Sequence, residues 1–211
     1  MYEKEIQMLQ EQETLVLCQT TLNLGGYQSL EPNITRDAVK LDNLIALLGG
    51  PKHIRARFDP IIFGFTTPKM FAAHCKYLAD YGITRTTVNF MVFIYKDVRD
   101  QFKAKRFPVD EPTPERKRRT LEKISEIASR YNIEVAACAE TSAYAGQVPG
   151  ILPAKCSDPG WALFLRPDLE GKVQGHSSRK GCGCIYSDDW GVYRNKGGWL
   201  CPNQCLYCYA K

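Results

Sequence analysis

Three cysteines stand close together in the stretch CPNQCLYCYAK: Cys201, Cys205 and Cys208, with three residues and then two between them. A loop of that spacing can curl around a cubic four-iron cluster so that each thiolate takes one corner. The fourth iron is then left without a protein ligand. A structural zinc ion wants four nitrogen or sulfur ligands and an electron-transfer cluster wants four cysteines, so either would need a partner from elsewhere in the chain. The spacing favours the open cluster over a zinc knuckle completed by Cys182 and Cys184.

The chain has nine cysteines in all, an odd number for a disulfide framework and a high one for a bland cytosolic protein, which points to metal or redox chemistry. Cys18 and Cys75 fall in a strand and a helix and read as small buried groups. Setting those aside with the terminal three leaves Cys138, Cys156, Cys182 and Cys184, as many as a closed cluster or a zinc site needs. Cys182 and Cys184 flank Gly183, where an extended chain can turn both sulfurs to one side. The expectation is a second, fully ligated iron-sulfur cluster, against the simpler reading of four unrelated buried thiols.

These groups need a frame, and the first two thirds of the sequence supplies one. Strand-favouring runs lie at Thr14 to Leu22, His53 to Pro60, Thr84 to Ile94 and Ile133 to Glu140. Helical stretches lie between them. One follows Thr35 and stops at Gly49 and Gly50. Thr67 followed by Pro68, and Thr113 followed by Pro114, are N-cap and first-turn pairs that open two more. Strands alternating with helices of this length predict right-handed β/α units and a parallel sheet. The expected fold class is α/β, a partial or permuted (β/α) barrel over residues 1–148, with a cysteine-rich, cluster-binding tail over 149–211 packed on it.

In such folds the site lies beyond the C-terminal ends of the strands. That places Thr21 and Asn23, Arg57 and Asp59, Tyr95, and Glu140 among the candidates. Asp59 and Glu140 are the candidate catalytic acids or bases, and Arg57 and Asn23 the candidate cofactor ligands. Arg57 two residues from Asp59 reads equally well as a structural ion pair. His53, His74 and His176 are scattered; His74 reads as a core residue, and His176 as a spare metal ligand.

No apolar stretch approaches the roughly 18 residues of a membrane span, and Met1 to Glu13 has no apolar signal core, so the expectation is a cytoplasmic protein. The 28 Lys and Arg against 23 Asp and Glu permit a nucleic-acid partner without requiring one. The basic run ERKRRT, Glu115 to Thr120, reads as a solvated helix face before it reads as a phosphate site. The aromatic residues Trp161, Trp190, Tyr193, Trp199, Tyr207 and Tyr209 read as cover for a cluster before they read as a stacking surface for bases.

The stretches SSRKGCGCIYSDDWGVY and CPNQCLYCYAK resemble the C-terminal region of a bacterial family known only as a domain of unknown function. Its tail is similar to the cluster motif of radical S-adenosylmethionine proteins. TTLNLGGYQSLEPNI, RARFDPII and ACAETSA followed by GILPAKCSD resemble further segments of that family in the same order. LEPNI and RFDPII are more distantly similar to the barrel of spore photoproduct lyase. The resemblance implies a four-iron cluster on Cys201, Cys205 and Cys208, with Tyr207 as the aromatic that usually precedes the last cysteine. It also implies S-adenosylmethionine chelated at the open iron, an electron donor protein, and a deoxyadenosyl radical that takes a hydrogen atom from an unknown substrate.

Two departures qualify that resemblance. The cysteine loop follows the barrel instead of its first strand, and the Arg-Arg-Thr-Asp and Trp-Thr-Lys-Asn-Pro stretches usual at the start of the family are missing. The second departure leads to the expectation that a second copy or a separate N-terminal partner chain completes the barrel. The rival reading is a non-enzymatic module that holds zinc or a closed cluster and binds nucleic acid.

Overall fold

The computed structural model describes residues 18–21, 41–92, 95–107, 111–155, 158–172, 184, 194–195, 198–199 and 205–208, with backbone alone at 18–21, 139–140, 194–195 and 198–199. Five strands form one parallel sheet: β1 (Cys18–Thr21), β2 (Ile54–Ile61), β3 (Arg85–Phe90), β4 (Glu134–Ala137) and β5 (Ile151–Pro153). Their order in space is their order in the chain. A doubly wound sheet reverses its order at a switch point; this one does not reverse. The fifth strand adds one to the four that the sequence suggests.

Helices α1 (Leu41–Leu48), α2 (Pro68–Asp80), α3 (Lys96–Ala104), α4 (Pro114–Ser129) and α5 (Pro159–Leu165) connect or follow the strands. Of these, α3 and α5 were not foreseen. Among the described residues no helix is long and apolar enough to cross a membrane.

Local chemistry sets the ends of the two main helices. The Thr67 hydroxyl accepts from the Met70 amide at 3.3 Å, the Thr113 hydroxyl accepts from the Arg116 amide at 3.3 Å, and Pro occupies the first turn of each. Both helices stop in the same way. Gly82, at φ 71°, turns the chain so that the Ile83 amide donates back to the Leu78 carbonyl at 2.9 Å; Asn132, at φ 54°, does the same for Ile133 and Ala128 at 3.1 Å. Asparagine tolerates this left-handed conformation better than most residues because its short amide bonds locally. Each turn delivers a buried isoleucine at the foot of the next strand.

One face of the sheet carries the core. Ile54, Ala56 and Phe58 of β2, Thr86, Val88 and Phe90 of β3, and Val135 and Ala137 of β4 alternate inward. Against them lie Phe71, His74, Cys75 and Leu78 of α2, and Leu121, Ile124 and Ile127 of α4, spaced for one helical stripe. His74 is fully buried, and its Nε2 lies 2.9 Å from the Thr86 hydroxyl, which in turn donates to the Ala56 carbonyl at 3.4 Å. The Thr86 oxygen therefore receives the Nε2 proton, as a core histidine requires. Cys18 shares the register position of Ile54, on this same face.

Candidate functional site

The opposite face of the sheet is polar. Strand register sets Gln19, Arg55, Arg85 and Glu134 side by side at the N-terminal end, with Thr21, Arg57, Thr87, Ala136 and Leu152 one layer above. Asp59, Asn89 and Cys138 follow at the next alternate positions, towards the C-terminal ends. Five parallel strands thus bring Arg57, Asp59, Asn89 and Cys138 to the end where β/α folds place their chemistry.

The lower layer is closed by α5. Asp158 caps that helix by accepting from the Gly160 amide at 3.0 Å, and its carboxylate lies 3.9 Å from Arg55 and 3.8 Å from Arg85. The Trp161 ring stacks on the Arg55 guanidinium at 4.4 Å, and its indole N–H donates to the Lys52 carbonyl at 2.8 Å. Burial, and then the neighbouring Arg85 charge, push the Arg55 pKa down to about 10, against the pull of Asp158 and Glu134. Trp161 accordingly packs against an arginine at the foot of the sheet.

In the upper layers Arg57 Nη2 donates to Asp59 Oδ2 along the same strand. The two side chains are each about one-fifth exposed, and the ion-pair reading of this couple is the geometry observed. The Asn89 amide oxygen is buried and has no hydrogen-bond partner among the described residues. Buried acceptors are nearly always paired, so an orphan on the polar face marks a place where a donor belongs. Cys138 is half-buried just past β4, where its amide donates to the Val88 carbonyl at 3.1 Å and the Thr141 hydroxyl donates to the same carbonyl at 2.9 Å. Glu140 lies in the 3-10 turn Ala139–Tyr144; its side chain is outside the described part. Tyr95 precedes α3 at its N-cap.

The described turn 205–208 packs against the core of the sheet and helices. Leu206 is buried in the same core as the sheet and helices, and Tyr207 packs against that core. Cys205 and Cys208, half-buried, stand at either end of this turn, and the Cys208 amide donates to the Cys205 carbonyl at 3.1 Å. A leucine between two cysteines therefore acts as an anchor that fixes where the thiols sit. Cys184 is also half-buried. Cys201, Cys156, Cys182, Asn23 and His176 lie outside the described residues. Among the described residues no three His, Cys, Asp or Glu side chains come together as a metal site.

Sequence reasoning missed Arg55, Arg85, Asn89 and Asp158, and it did not foresee the contact of Trp161 with Arg55. The alternation RARFD was visible in β2, and it could have separated Arg55, Arg57 and Asp59 onto one face from Ala56 and Phe58 on the other. No local signal links Trp161 to Arg55.

No curated protein and no solved structure matches the chain. A family model does match, over residues 1–210, and the chain belongs to that family, the domain of unknown function DUF1848.

Proposed function

We propose that this chain is a radical-S-adenosylmethionine-type iron-sulfur enzyme on a partial (β/α) barrel, acting in the cytoplasm on a substrate that its sequence does not name. The observation that carries the reading is the Cys201, Cys205, Cys208 spacing, with the turn between the last two seated on the core by Leu206. The half-buried Cys205 and Cys208 flank a tight turn, which suits two corners of a cubane; Cys201 would take the third. Bound there, a four-iron cluster supplies the electron that cleaves S-adenosylmethionine.

The chain's own residues position and shield. Arg57, oriented by Asp59, binds the carboxylate of the methionine moiety, and the Asn89 amide oxygen accepts from the cofactor's amino group or a ribose hydroxyl. Tyr207 and Asn23 line the cofactor, and Asp59 and Glu140 are the acid-base groups nearest the strand ends. The sequential parallel order of the sheet supports the barrel reading, because a (β/α) barrel is wound the same way. Among the described residues β1 pairs only with β2 and β5 only with β4, and a second copy or a separate N-terminal partner chain completes the barrel at these strands. A separate electron donor protein completes the system. Cys138 and Cys184 are the described members of the proposed second cluster, with Cys156 and Cys182.

The deciding experiment is anaerobic reconstitution with iron and sulfide, reduction, and addition of S-adenosylmethionine. Formation of 5′-deoxyadenosine supports the reading. A colourless protein that takes zinc, or a brown one whose paramagnetic resonance spectrum ignores S-adenosylmethionine, overturns it in favour of a closed-site binding module.

A further inference from the structure

A second candidate site lies on the helix-covered side of the sheet, away from the polar face. The end of β2 and the segment after it, the first turns of α2 and one face of α4 line a half-open cleft of about 310 Å³. That is the lower end of the size range of small-molecule sites, about 300 Å³ upward. Its walls divide by chemistry. Ile61, Phe71 and Ile127 form an apolar floor, and Arg116, Arg119 and Lys123 form a cationic rim, spaced so that one helix face carries all three. Among the described residues no acidic side chain lines it.

The cations are held where a ligand can reach them. The Arg116 guanidinium lies over the Phe63 ring at 5.2 Å, which joins the rim to the floor. Arg119 and Lys123 reach acids on their own helix, Glu115 at 2.9 Å and Glu126 at 2.7 Å. Exposed pairs of this spacing hold weakly and give way to a better-placed anion. A solvated helix face needs no cavity beneath it, and a pure phosphate site needs no isoleucine floor.

We propose that this cavity binds a small organic anion with a short apolar tail: the head, a carboxylate or phosphate, on Arg116, Arg119 and Lys123, and the tail against Ile61, Phe71 and Ile127. The site uses none of the cysteines and stands apart from the cluster chemistry.

Calorimetric titration of the full chain with octanoate and with octyl phosphate tests it, with octanol and inorganic phosphate as controls. At least one anionic amphiphile should bind about tenfold or more tighter than either control, and the preferred head identifies the ligand as carboxylate or phosphate. The R116Q/R119Q/K123Q variant should weaken that binding about tenfold or more. A second variant, Thr120→Phe, keeps the charges and fills the cavity, and it should lose the tail's contribution. The proposal is overturned if neither amphiphile binds, if octanol or inorganic phosphate binds as tightly, or if both variants bind as the parent does.

Discussion

The Arg55 guanidinium rests 4.4 Å from the centre of the Trp161 ring, and the same indole donates to a carbonyl 109 residues earlier. This contact ties α5 to the foot of β2 and closes the polar face from below. Everything the upper layers do chemically is built over that floor.

Trp161→Ala should therefore destabilise the fold by about 3–5 kcal/mol, the usual cost of removing a buried tryptophan. Trp161→Phe keeps an aromatic face on Arg55 and loses the indole hydrogen bond with part of the ring's packing, at about 1–2 kcal/mol. Urea midpoints at constant slope measure both. Equal losses for the two variants would show that the ring's stacking on Arg55 contributes nothing.

Iron content separates the cysteines by role. Alanine at Cys201, Cys205 or Cys208 should abolish about half of the bound iron, that of the first cluster, and all formation of 5′-deoxyadenosine, whereas Cys75→Ala should leave both unchanged. Retention of the parent's full iron content in the Cys205→Ala protein would contradict the ligand assignment.

Arg57 is assigned to ground-state binding, which predicts a kinetic split. Arg57→Lys keeps the charge and loses the two-pronged geometry, so KM for S-adenosylmethionine should rise about tenfold with kcat little altered. Asp59→Asn should move KM in the same direction by releasing the guanidinium. A fall in kcat at constant KM in the Arg57 variant would place that residue in the chemical step.

Cys75 gives a pH prediction. Burial in the core pushes its pKa from 9.0 up to about 12, so the folded chain keeps the thiol proton while the unfolded chain releases it. The unfolded state then binds fewer protons, and stability contributed by this group falls as pH rises from about 9 towards 12. Denaturant titrations between pH 8 and 11 should show a shallower decline for Cys75→Ala than for the parent. In the native protein near pH 8 this thiol should resist alkylation that reaches it readily in urea.

The terminal strands of the described sheet, β1 and β5, bear on assembly. Light scattering at increasing concentration should show a dimer, or a stable complex with a partner chain. A lone monomer at every concentration tested would remove the proposal that another chain completes the barrel.

What the sequence disclosed and what it concealed divide by the range of the interaction. Thr67 with Pro68, and Thr113 with Pro114, were readable because a cap is made within three residues. The parallel sheet was readable because β/α alternation leaves few alternatives. By contrast, β5 is three residues long in a stretch of prolines and glycines, and α5 owes its place to Trp161 meeting Arg55, which no window of sequence contains. The basic run on α4 looked like a solvated face because the Phe63 that Arg116 covers lies far upstream. In the candidate site, Arg57 and Asp59 were legible as neighbours on one strand face, while the buried Asn89 oxygen depends on strands packed on both sides of β3.

Because the strands lie in space as they lie in sequence, a chain emerging from the ribosome meets each docking partner already made. β2 can pair with β1, β3 with β2, and so on to β5 without waiting for a later segment. Leu206 arrives late: among the described residues the rest of this buried core is drawn from residues 41–151, and Leu206 enters it between two cysteines. On the proposed function, the cluster ligands Cys201, Cys205 and Cys208 are thereby made after the scaffold, so a stalled chain would carry the sheet without them.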